Sequence, residues 1–321
     1  MMDILSVQSI LASLISGNAS CATAQLATCL SPYLQQPGLC SRLTNRGIPI
    51  ELAFVWPNYQ VRCTIDEDMY SDQETRFSKS LKKVSDSRDN GTGQIIINHL
   101  YACLQSTPQS FRYGAWLGLR PSRAVPKLYV EIAPATRQQN VLGQHIPDIA
   151  RVMERGILPV MFGWQADSGS FEVYYKASFM YPADIDKILS FYKLPLLGAD
   201  VEYLCKLLVY RNINQHYPMP DIGFSVSFNA QGVAEAFTLY AFAQSMLGPD
   251  FQIRHAILRL GDHQGWNMEQ YKLLSQPLET PDYCINTYHG MVGFVVAKEG
   301  GVQFTVGLSP FLTEDMLGHA V

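Results

Sequence analysis

The chain has 321 residues, 47% of them hydrophobic and 16% charged, with a net charge of −4. That length is ample for a sizeable core, and the composition excludes a disordered chain, a collagen and a coiled coil. The negative balance excludes bulk attraction to nucleic acid or anionic lipid, and no apolar run reaches the roughly 20 residues a bilayer span needs.

From the N-terminus, Ile4 to Ser16 reads as an amphipathic helix rather than a signal peptide, because it follows an Asp and carries Ser and Gln. Helices are expected up to about residue 45. Then a hairpin pattern begins and recurs. Ile50–Val55 and Gln60–Asp66 flank the turn Pro57-Asn58-Tyr59, and helical patterns follow at Tyr70–Val84 and Gln94–Gln105. Arg112–Arg120 and Lys127–Ala133 form the second hairpin, followed by a helix expected over Val141–Arg155. Leu158–Ala166 and Phe171–Lys176 flank Asp167-Ser168-Gly169, with helices Ala183–Lys193 and Asp200–Tyr210 behind them. Ile222–Phe228 and Glu235–Phe242 flank Asn229-Ala230-Gln231-Gly232, and helices follow at Phe251–Leu258 and Asn267–Leu274. The last hairpin is Asn286–Ala297 with Val302–Ser309 around Lys298-Glu299-Gly300-Gly301. Each pair sets β-branched and aromatic residues around turn formers.

Successive hairpins begin at residues 50, 112, 158, 222 and 286, separations of 62, 46, 64 and 64. A repeat of that size, each unit helix–strand–strand–helix, with no Pro- or Gly-rich linker, predicts one α+β domain over residues 1–321. Ten antiparallel strands with helices outside close into a barrel, which removes exposed edges and leaves room for a ligand. Alternation assigns Glu51, Arg62, Thr64, Lys127, Tyr129 and Glu131 to the lumen. Leu52, Phe54, Val61, Cys63, Ile65, Leu128, Val130 and Ile132 then pack under the helices. A polar lumen inside an apolar jacket reads as a reaction chamber.

Glu51 stands in the otherwise apolar strand Gly47-Ile48-Pro49-Ile50-Glu51-Leu52, where a carboxylate is costly to bury without a partner. It is either a general base or hydrogen-bond acceptor in the chamber, or a solvent-facing residue on a half-exposed strand. Lys127 and Tyr129 share one strand face, and a cation beside a phenol suits a diphosphate. Tyr174 holds the equivalent place in the third hairpin. Against this, Tyr is common in strands and Lys is a default surface residue. The side-chain volumes of Trp116, Met161, Trp164 and Phe224 are candidates for shaping the chamber. The seven cysteines, Cys21, Cys29, Cys40, Cys63, Cys103, Cys205 and Cys284, form no C-x-x-C pair and read as buried thiols in a reducing, cytoplasmic setting. No Cys/His cluster has zinc spacing, and His289 reads as structural.

The order G-x-P-[IL]-E-L, then Val61-Arg62-Cys63-Thr64-Ile65-Asp66, then Lys127-Leu128-Tyr129 resembles the ABBA aromatic prenyltransferases over about residues 45–310. These include fungal dimethylallyl tryptophan synthases and bacterial indole and phenol prenyltransferases. Their fold is a ten-stranded antiparallel barrel of five α-β-β-α units. Chain size and the indole-type glutamate look closest to cyanobacterial enzymes of the hapalindole and ambiguine type.

The resemblance implies that Glu51 accepts the indole N–H while Arg62 and Lys127 hold the diphosphate. Tyr129 and Tyr174 would shield the allylic cation, with Tyr288 and Trp116 in the shield or acceptor pocket. It implies small-molecule partners (a prenyl diphosphate and an indole), no nucleic acid or membrane partner, and a monomer or homodimer.

Departures from the family pattern leave few cations: Ser170 and Glu172 where the third hairpin commonly has bases, Ala236, Phe237 and Thr238 on the fourth, and Gln303 as the last strand's candidate for the diphosphate in place of a Lys or Tyr. Either Arg120 or Lys176 reaches in, or a divalent metal such as Mg2+ helps, although no cofactor is required. The run Asp66-Glu67-Asp68 reads as a charge cluster at a helix start rather than a metal motif. The main alternative is a non-catalytic barrel that binds an apolar or prenylated small molecule. No G-x-S-x-G element, P-loop or His/Asp metal cluster supports a hydrolase.

Overall fold

A computed structural model describes residues 41–310 apart from 67, 85–90, 121–122, 139–141, 154–155, 210–216, 218–221, 283 and 285. The N-terminal helix expected at Ile4–Ser16, and Cys21, Cys29 and Cys40, lie outside the described residues. Ten strands are present: β1 Ile50–Trp56, β2 Gln60–Ile65, β3 Ala115–Leu119, β4 Lys127–Glu131, β5 Ile157–Gln165, β6 Ser170–Ala177, β7 Ile222–Phe228, β8 Ala234–Phe242, β9 His289–Ala297 and β10 Val302–Leu308. Every pairing is antiparallel, and β1 closes on β10, so the sheet is a complete barrel. The hairpin turns gather at one end and the helical connections at the other.

Nine α-helices are described: α1 Gln73–Val84, α2 Thr92–Ser106, α3 Pro134–Gln138, α4 Ala150–Met153, α5 Pro182–Phe191, α6 Gly198–Val209, α7 Ala243–Leu247, α8 Asp250–Gln264 and α9 Glu269–Leu274. They bury apolar stripes, such as Ile96, Ile97, Leu100 and Leu104 of α2, against the outward face of the strands. That face carries Leu52, Phe54, Leu128, Val130, Phe162, Trp164, Val226 and Val306, all essentially inaccessible to solvent. Near the α9 end, Trp56 stacks on Trp266 and Phe304, and its Nε1–H donates to the carbonyl of Asn267 at 2.7 Å. The core is therefore a ring between sheet and helices, and the barrel interior is left to other chemistry.

Some boundaries differ from the sequence pattern, each for a local reason. The single helix expected over Val141–Arg155 is replaced by a 3-10 turn at Leu142–Gln144 and the short α4. Pro147 between them lacks an N–H and clashes with a continuing helical turn. α8 runs past Leu258 to a left-handed Gly265 cap, whose N–H closes on the carbonyls of Gly261 and Asp262. β3 starts at Ala115 rather than Arg112, since the N–H groups of Arg112 and Tyr113 donate to the Glu131 carboxylate, both at 2.7 Å. β9 starts at His289 rather than Asn286, since Asp250 accepts the N–H groups of Tyr288 and His289. Among the described cysteines, Cys63, Cys103 and Cys205 are buried, while Cys284 is exposed, against expectation. No described helix is long and apolar enough to cross a membrane.

Candidate active site

Antiparallel partners point to the same side of a sheet, so the register identifies the lumen. Glu51 pairs with Thr64, Thr64 with Gly118, Gly118 with Lys127, and Lys127 with Gln165. Gly163 pairs with Tyr129 and Glu172, Tyr174 with Ser225, Ser225 with Thr238, Thr238 with Val295, and Val295 with Gln303. All of these face inward. A cavity of about 450 Å³ opens at the helical end, and its walls include Glu51, Thr64, Trp116, Tyr129, Glu131, Met161, Tyr174 and Tyr240. That volume is in the range of small-molecule sites.

Glu51 sits on a glycine floor. A Cβ at Gly290 would clash with its Oε2, and one at Gly307 would lie 2.7 Å from its carboxyl carbon. Glu51 has no hydrogen-bond or ion-pair partner among the described residues. Burial pushes its pKa from 4.5 up to about 7. A carboxylate that gains and loses a proton near neutrality is suited to accepting a hydrogen bond or proton from a bound acceptor.

The floor is braced from outside the barrel. His289 is buried behind it: its Nδ1 lies 2.6 Å from Asp250 and its Nε2 lies 2.8 Å from the Tyr271 hydroxyl. A register shift in β9 between the pairs of Val306 and Leu308 then lets both Gly290 and Met291 reach the cavity. His289 is structural, as its place in the sequence suggested.

Deeper in the lumen, Tyr129, Tyr174 and Tyr240 form a row with ring centroids 6.1 and 6.0 Å apart. Burial first, and then the neighbouring Glu172 carboxylate, raise the Tyr174 pKa well above the usual phenol value, so the hydroxyl stays neutral. The Lys127 ammonium lies 4.9 Å from the Tyr129 ring centroid and 5.8 Å from that of Tyr174. It crosses over Gly163, where a Cβ would meet Lys127 Cε at 2.6 Å, to pair with Glu172 on β6. Arg62 faces the same space. Burial and then the nearby Arg120 guanidinium lower its pKa, while Tyr129, Glu172 and Tyr174 oppose that shift.

No protein-family model matches the sequence, and no curated protein matches it. Solved structures do. Prenyltransferase PriB, in its complex with L-tryptophan and dimethylallyl thiolodiphosphate, superposes with a TM-score of 0.72 at 14% identity, covering 94% of this chain and 93% of that one. 5-Dimethylallyl tryptophan synthase from Streptomyces coelicolor, in complex with DMASPP and Trp, gives 0.71 at 15% identity over 94% and 92%. AnaPT from Neosartorya fischeri gives 0.63 at 12% identity over 95% and 92%. The chain has the ABBA barrel fold. At these identities the likeness is one of architecture, and the chemistry must be read from this barrel's own lumen.

The ABBA barrel brings Glu51, Trp116, Tyr129 and Tyr174 to one cavity, with Arg62 and Lys127 deeper in the same lumen. Gln303 also faces inward, toward the hairpin-turn end and away from the cavity lining. Tyr288 is not brought in: it precedes β9, and its ring lies under the Arg46 guanidinium, 4.4 Å from centroid. Of the four side chains considered for chamber shape, Trp116 and Met161 line the cavity. Trp164 and Phe224 are fully buried on the opposite face, Trp164 against Gly93 of α2 and Phe224 against Tyr175 and Phe237. Tyr240 and Phe242 line the cavity and were missed, although the alternation that exposes Thr238 to the lumen continues to both.

Among the described residues no group of three His, Cys, Asp or Glu side chains could hold a metal ion. Asp66 accepts from Ser41 and Arg76, and Asp68 from Ser71 and Lys79. They anchor the chain ahead of α1, which starts at Gln73.

Proposed function

We propose that this protein is an aromatic prenyltransferase. It moves a dimethylallyl or geranyl group from its diphosphate to a carbon of an indole, such as the indole of a hapalindole-type alkaloid. The observation that carries the reading is the layering of the lumen. An unpartnered carboxylate, Glu51, lies at the cavity mouth, a row of three tyrosine rings lies below it, and the cations Arg62, Arg120 and Lys127 lie beyond.

In this arrangement the diphosphate sits against Arg62 and Arg120, with Lys127 shared between it and Glu172. The allylic C–O bond breaks as these cations stabilise the departing charge. The rings of Tyr129, Tyr174 and Tyr240 face the allyl cation and exclude water from it. The acceptor's ring lies above them, its N–H directed at Glu51, which raises the electron density at the carbon that forms the new C–C bond. The proton on that carbon then passes to the released diphosphate, and aromaticity returns. Most of the acceleration comes from holding two reactive partners together. A carrier of apolar ligands would gain nothing from interior cations or from a carboxylate poised near neutrality.

The test is incubation of the protein with dimethylallyl and geranyl diphosphate and a set of indoles, with and without Mg2+, read by mass spectrometry. A product heavier by one prenyl group, lost in Glu51→Gln, is expected. Absence of prenylated product across the grid refutes the reading.

A further inference from the structure

The pair formed by Lys127 and Glu172 faces the lumen rather than the helix-covered core. Both residues are largely shielded, at 5% and 8% exposure. Glu172 is held from three sides. Lys127 meets Oε2, Ser225 Oγ–H donates to Oε1 at 2.6 Å, and the neighbouring Tyr174 hydroxyl favours its charged form. Gly163 lies between the two strands and supplies the gap that Lys127 crosses. Arg62, by contrast, makes no ion pair among the described residues and lies near a second guanidinium, Arg120. The chamber therefore holds one committed cation and a guanidinium pair, with a fixed negative charge between the tyrosine row and β7.

A phosphate oxygen that approaches Lys127 has to share it with Glu172, and it meets that carboxylate as a like charge. The more highly charged the incoming anion, the larger this opposition. We propose that Glu172 sets the charge that the barrel accepts in a leaving anion. By holding Lys127 it competes with the donor's phosphate oxygens, and so narrows the preference for an allylic diphosphate over the matching monophosphate. This rests on the donor-site reading above.

The test is calorimetric binding of two unreactive donors, dimethylallyl thiolodiphosphate and dimethylallyl thiolomonophosphate, to the wild-type protein and to Glu172→Gln. The variant keeps the shape and the Ser225 contact while removing the charge. Glu172→Gln is expected to bind the thiolodiphosphate at least about tenfold tighter and the thiolomonophosphate within about threefold of wild type, in line with measured coupling between close charges. A ratio of affinities that stays put, or moves toward the monophosphate, overturns the proposal.

The double variant Lys127→Met/Glu172→Gln guards against misfolding, since it removes the buried pair as a unit. It is expected to bind the thiolodiphosphate within about threefold of wild type, and a loss beyond about thirtyfold would mean that Lys127 is not held back by Glu172. Prenyl transfer by the wild type with an unmoved ratio defeats this proposal alone. If neither analogue binds any of the three proteins, the donor reading falls and takes the proposal with it.

Discussion

Replacing Glu51 with Gln tests the setting of that side chain without relying on any substrate. The carboxyl is pushed from 4.5 to about 7 by burial on the glycine floor. A group whose folded pKa lies above its unfolded value is uncharged in both states at low pH, so it carries no penalty there. As pH rises through the window from 4.5 to about 7, the unfolded chain ionises first and the folded state is increasingly disfavoured. Above that window the full shift is expressed, an upper value of about 3 kcal/mol. Gln has no charge to bury. Glu51→Gln should therefore change stability by less than about 1 kcal/mol at pH 5 and stabilise the protein by about 3 kcal/mol at pH 8. Urea denaturation of both proteins at the two pH values gives the double difference, in which every other titrating group cancels. An equal effect at both pH values would show that Glu51 is solvated and would remove the physical basis for its role as an acceptor. In the prenyl-transfer assay the same variant should lose at least about a hundredfold in turnover while remaining folded. Full activity would dismiss Glu51 as the base.

Three further outcomes follow from the geometry. Gly290→Ala places a methyl group where the Glu51 carboxylate sits; the side chain can swing away, so thermal stability should fall by less than about 1 kcal/mol while turnover drops about tenfold or more, and unchanged turnover would detach the floor from the chemistry. Lys127→Ala should weaken donor binding more than acceptor binding in titrations with each alone, and equal weakening would remove Lys127 from the anion site. Arg76→Leu takes the guanidinium from Asp66, which is 1% exposed, and leaves the Ser41 hydroxyl donating to the carboxylate, and should cost about 3 kcal/mol in urea denaturation; a loss below about 1 kcal/mol would show that Asp66 is solvated without its arginine.

The barrel was legible because each hairpin declares itself locally. Asn229 to Gly232 and Lys298 to Gly301 mark turns, and the flanking alternation fixes which residues face inward, so one register identifies the lumen for all ten strands. The alternation placed Glu51, Arg62, Lys127 and Tyr129 inside, and the same rule would have excluded Trp164 and Phe224, which lie on the other parity. Long-range events were not legible. That the first residues of two expected strands give their N–H groups to Glu131 and Asp250 depends on carboxylates from distant segments. That Glu172 answers Lys127 across a whole strand depends on Gly163 being where it is. Tyr288 falls inside the strand expected from Asn286, and only the backbone path ahead of β9 decides that its ring meets Arg46 instead of the cavity.

The seat of Glu51 is assembled from the first and last hairpins of the barrel. The carboxylate stands on the first strand of the cylinder, and the two glycines beneath it come from the closing strands, Gly290 from β9 and Gly307 from β10. Its floor is therefore in place only when the final hairpin closes the sheet. The burial that raises its proton affinity is thus a property of the closed cylinder and not of the strand that bears it.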